Sequence, residues 1–404
     1  MMVKTLPVRS IIDAVAGAAA AWSDARSAPR RCALDAVAAR TGYSPPVVEF
    51  AFDRLFRPMT GEAIAEVIAG ELGSLDALDA FVHRGARETT RALPIGRVCV
   101  ISSRTTIGVA IVPAIFALCA KCEVLVKDRE DHLVSAFFAT VTEMRPELGD
   151  AVAARPWRGE SDAVNLDAFD SIVAFGNDRT LAAISASLQF PSRMVAYPSK
   201  IGAGYLRLQS LATQRAIDAA AYGAARDMLL YNGEGCLSLR VLFVEGGADV
   251  SPARFCERLR DAIERVAREF PAVVSAEPTA RRATARDMAR FRSDPGGQIF
   301  TDARSSYLLV LDPPLDQPPL LLPRALSVYS VADPREAVAY LERHRIPLEA
   351  LAVAESDADL RNVAIGLGAS RITLFGSLQE PPLGEFHGGR PRIAEFVRWI
   401  SEQT

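Results

Sequence analysis

The stretch that decides the fold is RVCVIS at residues 97–102, followed by IVPAIFALC at residues 111–119 and VLVK at residues 124–127. The first and third pieces are short and β-branched, which favours strands, whereas the middle piece is apolar and favours a helix. A strand, a helix and a second strand in this order predict two parallel strands joined by a crossover helix.

The same alternation continues towards the C-terminus. A helix is predicted for residues 133–144, a strand for 171–176 and a helix for 180–187. This alternation indicates a doubly wound parallel sheet, in which a ligand lies at the carboxyl ends of the strands. The segments expected around that crevice are residues 102–106, 127–130 and 176–179.

A second α/β block is predicted from about residue 216. Its helices are expected at residues 219–230 and 252–270, and its strands at 239–245, 307–311 and 325–331. The proline-rich segment 312–323 is predicted to be an extended surface connection. Before the first strand, residues 8–90 have helical spacing, with helices expected from residues 8, 45, 61 and 74. The chain is therefore predicted to be a mixed α/β protein with a helical N-terminal region.

Composition and charge exclude several classes of protein. The chain has 404 residues, 50% of them hydrophobic, and a formal net charge of -3, which argues against a dedicated nucleic-acid binder. Arg281, Arg282 and Arg286 are interpreted as one solvated helix face rather than a phosphate patch. No signal peptide and no apolar run long enough to span a membrane occurs, so a cytoplasmic protein is expected.

Six cysteines are present, of which Cys119 and Cys122 form a CxxC pair. A zinc site needs about four ligands, and His132 alone does not complete one. The pair lies in an apolar stretch, so the prediction is buried packing and no metal site.

The loop YNGEGCLS at residues 231–238 carries the strongest chemical signal. It lies between a predicted helix and a predicted strand, and two glycines let the backbone approach a ligand closely. A cysteine in such a loop can be an exposed thiolate stabilised by backbone N–H groups. From this segment alone, Cys236 is either a nucleophile or a small buried hydrophobic residue before a strand.

Several motifs resemble those of one superfamily. The segment NGEGC at residues 232–236 is similar to the Asn-x-Gly-Gln-x-Cys nucleophile loop of the aldehyde dehydrogenases, one residue shorter. Residues 124–130 resemble the strand that grips the adenosine ribose, and residues 175–178 resemble the turn near the cofactor pyrophosphate. Residues 71–81, 368–372, 379–384 and 387–389 are similar to the terminal signatures of the LuxC-type acyl-CoA reductases. Their order and spacing identify the chain as a member of that branch.

The resemblance implies an aldehyde-dehydrogenase-like fold with a doubly wound parallel cofactor domain and an α/β catalytic domain. The expected regions are a helical N-terminal region at residues 1–90, a nicotinamide cofactor domain at 91–215, a catalytic domain at 216–375 and a C-terminal segment at 376–404. It also implies reduction of an acyl thioester to an aldehyde through an acyl-cysteine on Cys236. The acyl donor is acyl-CoA or an acyl carrier protein, and the cofactor is NADPH or NADH.

Individual roles follow from the same resemblance. The implied catalytic residues are Cys236, Arg104, Asn232 and His387. His387 is either a proton donor or a structural residue, and Tyr197 and Lys200 are further candidates for the site. The implied cofactor-binding residues are Ser102, Ser103, Lys127, Arg129, Glu130, Gly176 and Asn177. Glu130 favours a free ribose hydroxyl whereas Arg129 suits a 2′-phosphate, so the choice of cofactor stays open.

Three positions depart from the superfamily pattern. No carboxylate occurs between Arg179 and Asp218, where hydrolytic members carry a water-activating Glu. General-base catalysis contributes about 10²–10⁴-fold, so this absence favours reduction over oxidation. Arg104 stands where the superfamily has its oxyanion Asn, and either donates to the oxyanion or binds an acidic substrate group. The Glu that holds the nicotinamide ribose is replaced near Leu320.

These departures keep alternatives open. One is an aldehyde or acyl-phosphate oxidoreductase on the same fold, and another is a non-catalytic binding subunit. The resemblance further implies a homo-oligomer and a partner enzyme that supplies the acyl group or consumes the aldehyde.

Overall fold

A computed structural model describes residues 2–84, 87–103, 105–129, 132–157, 164–246, 250–273, 275–292 and 297–403. The chain forms two compact units, Met1–Ser199 with Pro382–Thr404 (the first unit) and Lys200–Pro381 (the second unit). The division falls before the predicted start of the catalytic domain, because residues 201–207 form a strand in the sheet of the second unit. The functional domain boundaries at 90, 215 and 375 stay predictions.

The first unit opens with a helical region, as predicted. Its helices are α1 (Val8–Ser23), α2 (Ala28–Thr41), α3 (Pro45–Phe56) and α4 (Gly61–Leu72). Trp22 of α1 is fully buried against the rings of Phe52, Phe56 and Phe137. Burial of such large aromatic side chains is a main source of stability.

The helix predicted to start near Ser74 is a short 3-10 helix. Ser74 caps only a single 3-10 turn, Leu75–Leu78. The turn stops at Asp79, whose carboxylate accepts hydrogen bonds from the backbone N–H of Val8 and from Lys121 Nζ. These long-range contacts direct the chain into a strand instead of a further helical turn.

The parallel sheet of the first unit is confirmed. The helical region is followed by two strands of a separate small sheet, β1 (Val82–His83) and β2 (Glu88–Pro94). The strands and helices of the parallel sheet then follow in the order β3 (Arg97–Ile101), α5 (Ile111–Cys119), β4 (Glu123–Lys127), α6 (Leu133–Met144), β5 (Val152–Arg155), β6 (Ser171–Phe175), α7 (Asp178–Ser187) and β7 (Arg193–Tyr197). The strand order is β5-β4-β3-β6-β7, with every neighbouring pair parallel. Cys119 and Cys122 are fully buried, as predicted, and burial raises the pKa of the two thiols to about 12 and about 11.

The second unit is built on a seven-stranded sheet. Its elements are β8 (Ile201–Arg207), α8 (Gln214–Leu229), β9 (Leu239–Glu245), α9 (Pro252–Glu269), α10 (Ala276–Arg292), β10 (Gln298–Phe300), β11 (Leu308–Leu311), β12 (Ala325–Val331), α11 (Pro334–Arg343), β13 (Leu348–Val353), α12 (Ala358–Gly366) and β14 (Arg371–Leu374). The order is β10-β11-β12-β9-β8-β13-β14, and β10 is antiparallel to its neighbour. The central strand β8 was not predicted, because Gly202 and Gly204 weaken its strand signal.

The C-terminal strand β15 (Val397–Gln403) returns to the first unit. It pairs with β2 in antiparallel register, and the sheet order is β1-β2-β15. Among the helices of the described residues, none combines the length and the apolar character that crossing a bilayer requires.

Candidate functional site

Most of the predicted cofactor residues lie at the carboxyl edge of the five-stranded sheet in the first unit (hereafter the carboxyl edge of the first sheet). The chain runs from β3 to β4 and β5 on one side and to β6 and β7 on the other, so the strand order reverses between β3 and β6. Ligands bind at such switch points in open α/β sheets. The predicted residues at the ends of β3, β4 and β6 are Ser102 and Ser103, Lys127 and Arg129, and Gly176 and Asn177. The two remaining predicted residues of this region, Arg104 and Glu130, lie outside the described residues.

The side chains at this edge differ in the contacts that they already make within the protein. Lys127 Nζ lies 4.9 Å from the centre of the Trp157 ring, and burial together with the charge of Arg129 lowers its pKa. Ser102 is fully buried, and its hydroxyl donates to the carbonyl of Ser103 at 3.1 Å. The amide oxygen of Asn177 caps α7 by accepting from Thr180 N at 2.9 Å, so this side chain shapes the turn.

Asp128 is a residue at this edge that sequence reasoning missed. It is 4% exposed, and its carboxylate accepts a hydrogen bond from Ser135 N at 3.2 Å. It thereby joins the end of β4 to the first turn of α6 and fixes the segment that carries Lys127. Its position directly after a strand was visible in the sequence, but its burial was not.

His387 lies on an aromatic stack at the same edge. The rings of Phe175 and Tyr197 stack at 4.7 Å and 11°, and His387 lies 4.8 Å from Tyr197. Gly388 has a φ of 61°, and a Cβ there would lie 3.1 Å from the Tyr197 ring. These contacts give His387 a packing role, while a proton-donor role stays a prediction. Lys200 instead forms a 3.1 Å ion pair with Glu349 in the second unit.

The Cys236 loop has an unusual backbone. After α8, Tyr231, Asn232 and Gly233 have φ values of 52°, 53° and 69°. Non-glycine residues in this left-handed region cost of order 1–3 kcal/mol each, and such strain clusters at functional sites. Cys236 follows as a half-buried thiol that packs against the core of the second unit. The strained turn therefore sets the direction in which the loop presents its cysteine.

The strand side of the loop is held tightly. A Cβ at Gly202 of β8 would lie 2.8 Å from the carbonyl oxygen of Leu237 and 3.0 Å from that of Ser238. The Ser238 hydroxyl accepts a hydrogen bond from Gln379 Nε2 at 3.0 Å, with both groups buried. Only glycine fits where β8 passes the loop, and Gln379 ties the loop to the C-terminal part of the second unit.

The helix side of the loop is anchored to the same C-terminal segment. Asp227, fully buried near the end of α8, accepts hydrogen bonds from the N–H groups of Gly376 at 2.7 Å and Leu378 at 3.0 Å. Its neighbour Arg226 pairs with Glu380 at 2.9 Å. Sequence reasoning missed these anchors, because no local pattern marks a contact between segments about 150 residues apart.

Asp227 predicts a pH dependence of stability. Burial raises the pKa of its carboxyl group to about 7, against the opposing effect of its two N–H donors. Between about pH 4 and pH 7 the folded state holds a proton that the unfolded chain releases, so the free energy of unfolding falls as pH rises, by on the order of 4 kcal/mol. Asp227→Asn should remove this slope in urea unfolding at about pH 5 and about pH 8. Equal slopes in the two proteins would contradict the assignment.

Buried arginines lie beside the nucleophile loop. Arg282 is 5% exposed and Arg324 is 4% exposed, whereas Arg281 is exposed. Arg282 Nε donates to Ser305 O at 2.7 Å, and Arg282 Nη1 donates to Pro323 O at 3.2 Å. The interpretation of residues 281–286 as one solvated face is therefore wrong for Arg282, because α10 packs this side towards β11.

The chain is similar in sequence to known proteins. A sequence model of the family described as acyl-CoA reductase (LuxC) matches residues 3–399. The long-chain acyl-protein thioester reductase of Aliivibrio fischeri is 21% identical over 353 residues, which cover 84% of this chain and 71% of that protein.

Solved structures share the fold. An NAD-dependent benzaldehyde dehydrogenase from Corynebacterium glutamicum is 14% identical with a TM-score of 0.74, and the match covers 100% of this chain and 86% of that one. A glyceraldehyde-3-phosphate dehydrogenase from Methanocaldococcus jannaschii, complexed with NADP, is 12% identical with a TM-score of 0.73 over 99% and 90% of the two chains. The predicted aldehyde-dehydrogenase-like α/β fold is confirmed.

Proposed function

The chain belongs to the acyl-CoA reductase (LuxC) family, and we propose that it reduces an acyl thioester to an aldehyde through an acyl-cysteine on Cys236. The observation that carries this mechanism is the strained loop of residues 231–236, which is anchored on both sides and carries a half-buried thiol. A cysteine held in this way is suited to be a nucleophile, because its position is fixed before the substrate binds.

The chemistry proceeds in two steps. The Cys236 thiolate attacks the thioester carbonyl, and the thiol of the carrier leaves with its electron pair, so one thioester replaces another. When held by Lys127 and the other residues at the carboxyl edge, a reduced nicotinamide would supply a hydride to the acyl-cysteine, and Cys236 would leave the resulting aldehyde as a thiolate. Because no Asp or Glu lies between Arg179 and Asp218, this stretch offers no base to activate water against the acyl-cysteine.

The cofactor is proposed to bind at the carboxyl edge of the first sheet. The residues there fit a dinucleotide, since Ser102, Ser103 and Gly176 are small and Lys127 supplies a positive charge at the end of β4, the strand next to the switch point. Lys127 would hold the adenosine ribose by hydrogen bonds. The choice between NADH and NADPH depends on Arg129 and Glu130 and stays a prediction.

Lys127 provides a direct test of this cofactor site. Lys127→Met is expected to weaken NADH or NADPH binding by about 10- to 100-fold, because a hydrogen bond from a charged group is lost. The measurement is cofactor titration followed by protein fluorescence or calorimetry. Arg155→Met is the matched control, since Arg155 is exposed at the paired position of the next strand, β5. Equal affinities for the wild type and Lys127→Met would refute the assignment.

The proposed reaction is tested by following NADH and NADPH oxidation with a panel of acyl-CoAs and acyl carrier proteins of different chain length. Thioester-dependent formation of an aldehyde is the expected result. Turnover of acyl phosphates instead, or reduction of NAD by an aldehyde without CoA, would replace the proposal with an alternative oxidoreductase. Absence of both turnover and cofactor binding would indicate a non-catalytic subunit. A homo-oligomer, a partner enzyme and a cytoplasmic location stay predictions.

A further inference from the structure

Arg324 is fixed to the nucleophile loop by its backbone. Its N–H donates to the carbonyl of Asn232 at 3.0 Å, and a Cβ at Gly233 would lie 3.2 Å from the same nitrogen. Arg324 itself has a φ of 56°, a left-handed conformation that glycine adopts at far lower cost. Because the backbone at this position favours glycine, the presence of an arginine indicates a functional or structural role for its side chain.

The side chain of Arg324 is buried, and some of its N–H donors have no acceptor among the described residues. The side chain is 4% exposed, and its Nε donates to Ser306 O at 3.1 Å. Within the described part of the chain, its terminal nitrogens Nη1 and Nη2 have no hydrogen-bond partner and no ion pair. Buried charges are normally paired and hydrogen-bonded, whereas these two nitrogens lack a protein partner there and retain contact with solvent, so they can donate to a ligand.

A second arginine reinforces the positive charge. Arg282 donates to the carbonyls of Pro323, which precedes Arg324, and of Ser305, which precedes the Ser306 that Arg324 contacts. Burial and the charge of Arg282 together lower the pKa of Arg324 to about 10, while Asp302 opposes the shift. The Asp302 carboxylate already accepts hydrogen bonds from the N–H of Ser306 at 2.7 Å and its hydroxyl at 2.6 Å. The pair of arginines therefore retains an excess of positive charge.

We propose that Arg324, supported by Arg282, binds a phosphate group of the acyl-CoA thioester beside the nucleophile loop. The inference rests on the proposed function, since it assigns the two arginines to the same site. A planar guanidinium with both terminal nitrogens available matches two phosphate oxygens at once. Binding would satisfy the donors of Arg324 and, through its bond to Asn232, would link recognition of the phosphate to the position of the loop.

The test uses Arg324→Gly, which removes the guanidinium and suits the left-handed backbone, so the fold should be kept. In a Cys236→Ala background, calorimetry compares CoA with pantetheine, which lacks phosphate, and then measures NADH and NADPH. Loss of about 10- to 100-fold in affinity for CoA, with pantetheine unchanged, would assign the phosphate to the thioester carrier. A loss of affinity for NADH or NADPH, with the affinity for CoA unchanged, would overturn the assignment to the thioester carrier.

Unchanged affinities for CoA, NADH and NADPH in Arg324→Gly would overturn the inference. Arg281→Gly, at the exposed position next to Arg282, is the control for a general charge effect and should leave every affinity unchanged. Arg324→Gly is also made in a protein that retains Cys236. Its aldehyde formation and that of the wild type show whether the phosphate site or the proposed function has failed. If wild-type protein forms aldehyde and Arg324→Gly keeps full affinity, only the phosphate site is wrong.

Discussion

Aldehyde formation from an acyl thioester is expected to fall by at least about 10³-fold in Cys236→Ala, with binding of the nicotinamide cofactor unchanged. Removal of a covalent nucleophile eliminates the intermediate that divides one difficult step into two easier ones. The cofactor is proposed to bind in the first unit, whereas Cys236 lies in the second unit, so the substitution should remove no cofactor contact. Activity is measured as thioester-dependent oxidation of NADH or NADPH together with trapping of the aldehyde.

The intermediate itself can be observed. Without reduced cofactor, the wild type should gain the mass of one acyl group when mixed with acyl-CoA, and Cys236→Ala should gain none. Cys32→Ala is the matched control, because Cys32 is also a thiol outside the fully buried core. An acyl adduct that persists in Cys236→Ala, or activity equal to that of the wild type, would remove Cys236 from the mechanism.

The fold was predictable where local pattern and tertiary structure agree. The βαβ unit of residues 97–127 is an example, because its apolar periods match the elements that the sheet requires. Strand β8 escaped prediction for a physical reason: Gly202 lowers strand propensity, yet only glycine fits against the carbonyls of Leu237 and Ser238. The contact between Gly202 and the Cys236 loop therefore explains both facts. It requires a glycine, which weakens the local strand pattern, and it holds the loop against β8.

The site was predictable only in part. The glycines around Cys236 and the residues after β3, β4 and β6 have recognisable local patterns. Asp227 and Arg324 do not, because each acts through a partner that lies far away in the chain. Gln379 lies in the recognisable segment 379–384, but its hydrogen bond to Ser238 does not follow from that segment. Burial likewise separates Arg282 from its exposed neighbour Arg281, although both look like ordinary surface arginines in the sequence.

The second large effect is expected from Gly233→Ala, which should reduce kcat by about 10²-fold or more and lower the free energy of unfolding by about 2–4 kcal/mol. Gly233 has a φ of 69°, where an alanine costs about 1–2 kcal/mol. A Cβ there would also lie 2.7 Å from Met228 O and 3.2 Å from Arg324 N. Both are backbone atoms, so a side-chain rotation cannot relieve the contact.

The loop must therefore move away from α8 or from the segment before β12, and either movement displaces Cys236. The control is Gly366→Ala in α12 of the same unit, where a new Cβ meets nothing within 4 Å and should stabilise the helix by about 0.5–1 kcal/mol. The free energy of unfolding is measured by chemical denaturation, and the rate of acylation by single-turnover kinetics, for both variants and the wild type. Wild-type acylation by Gly233→Ala would show that the strained turn does not position the nucleophile, even if Cys236 is essential.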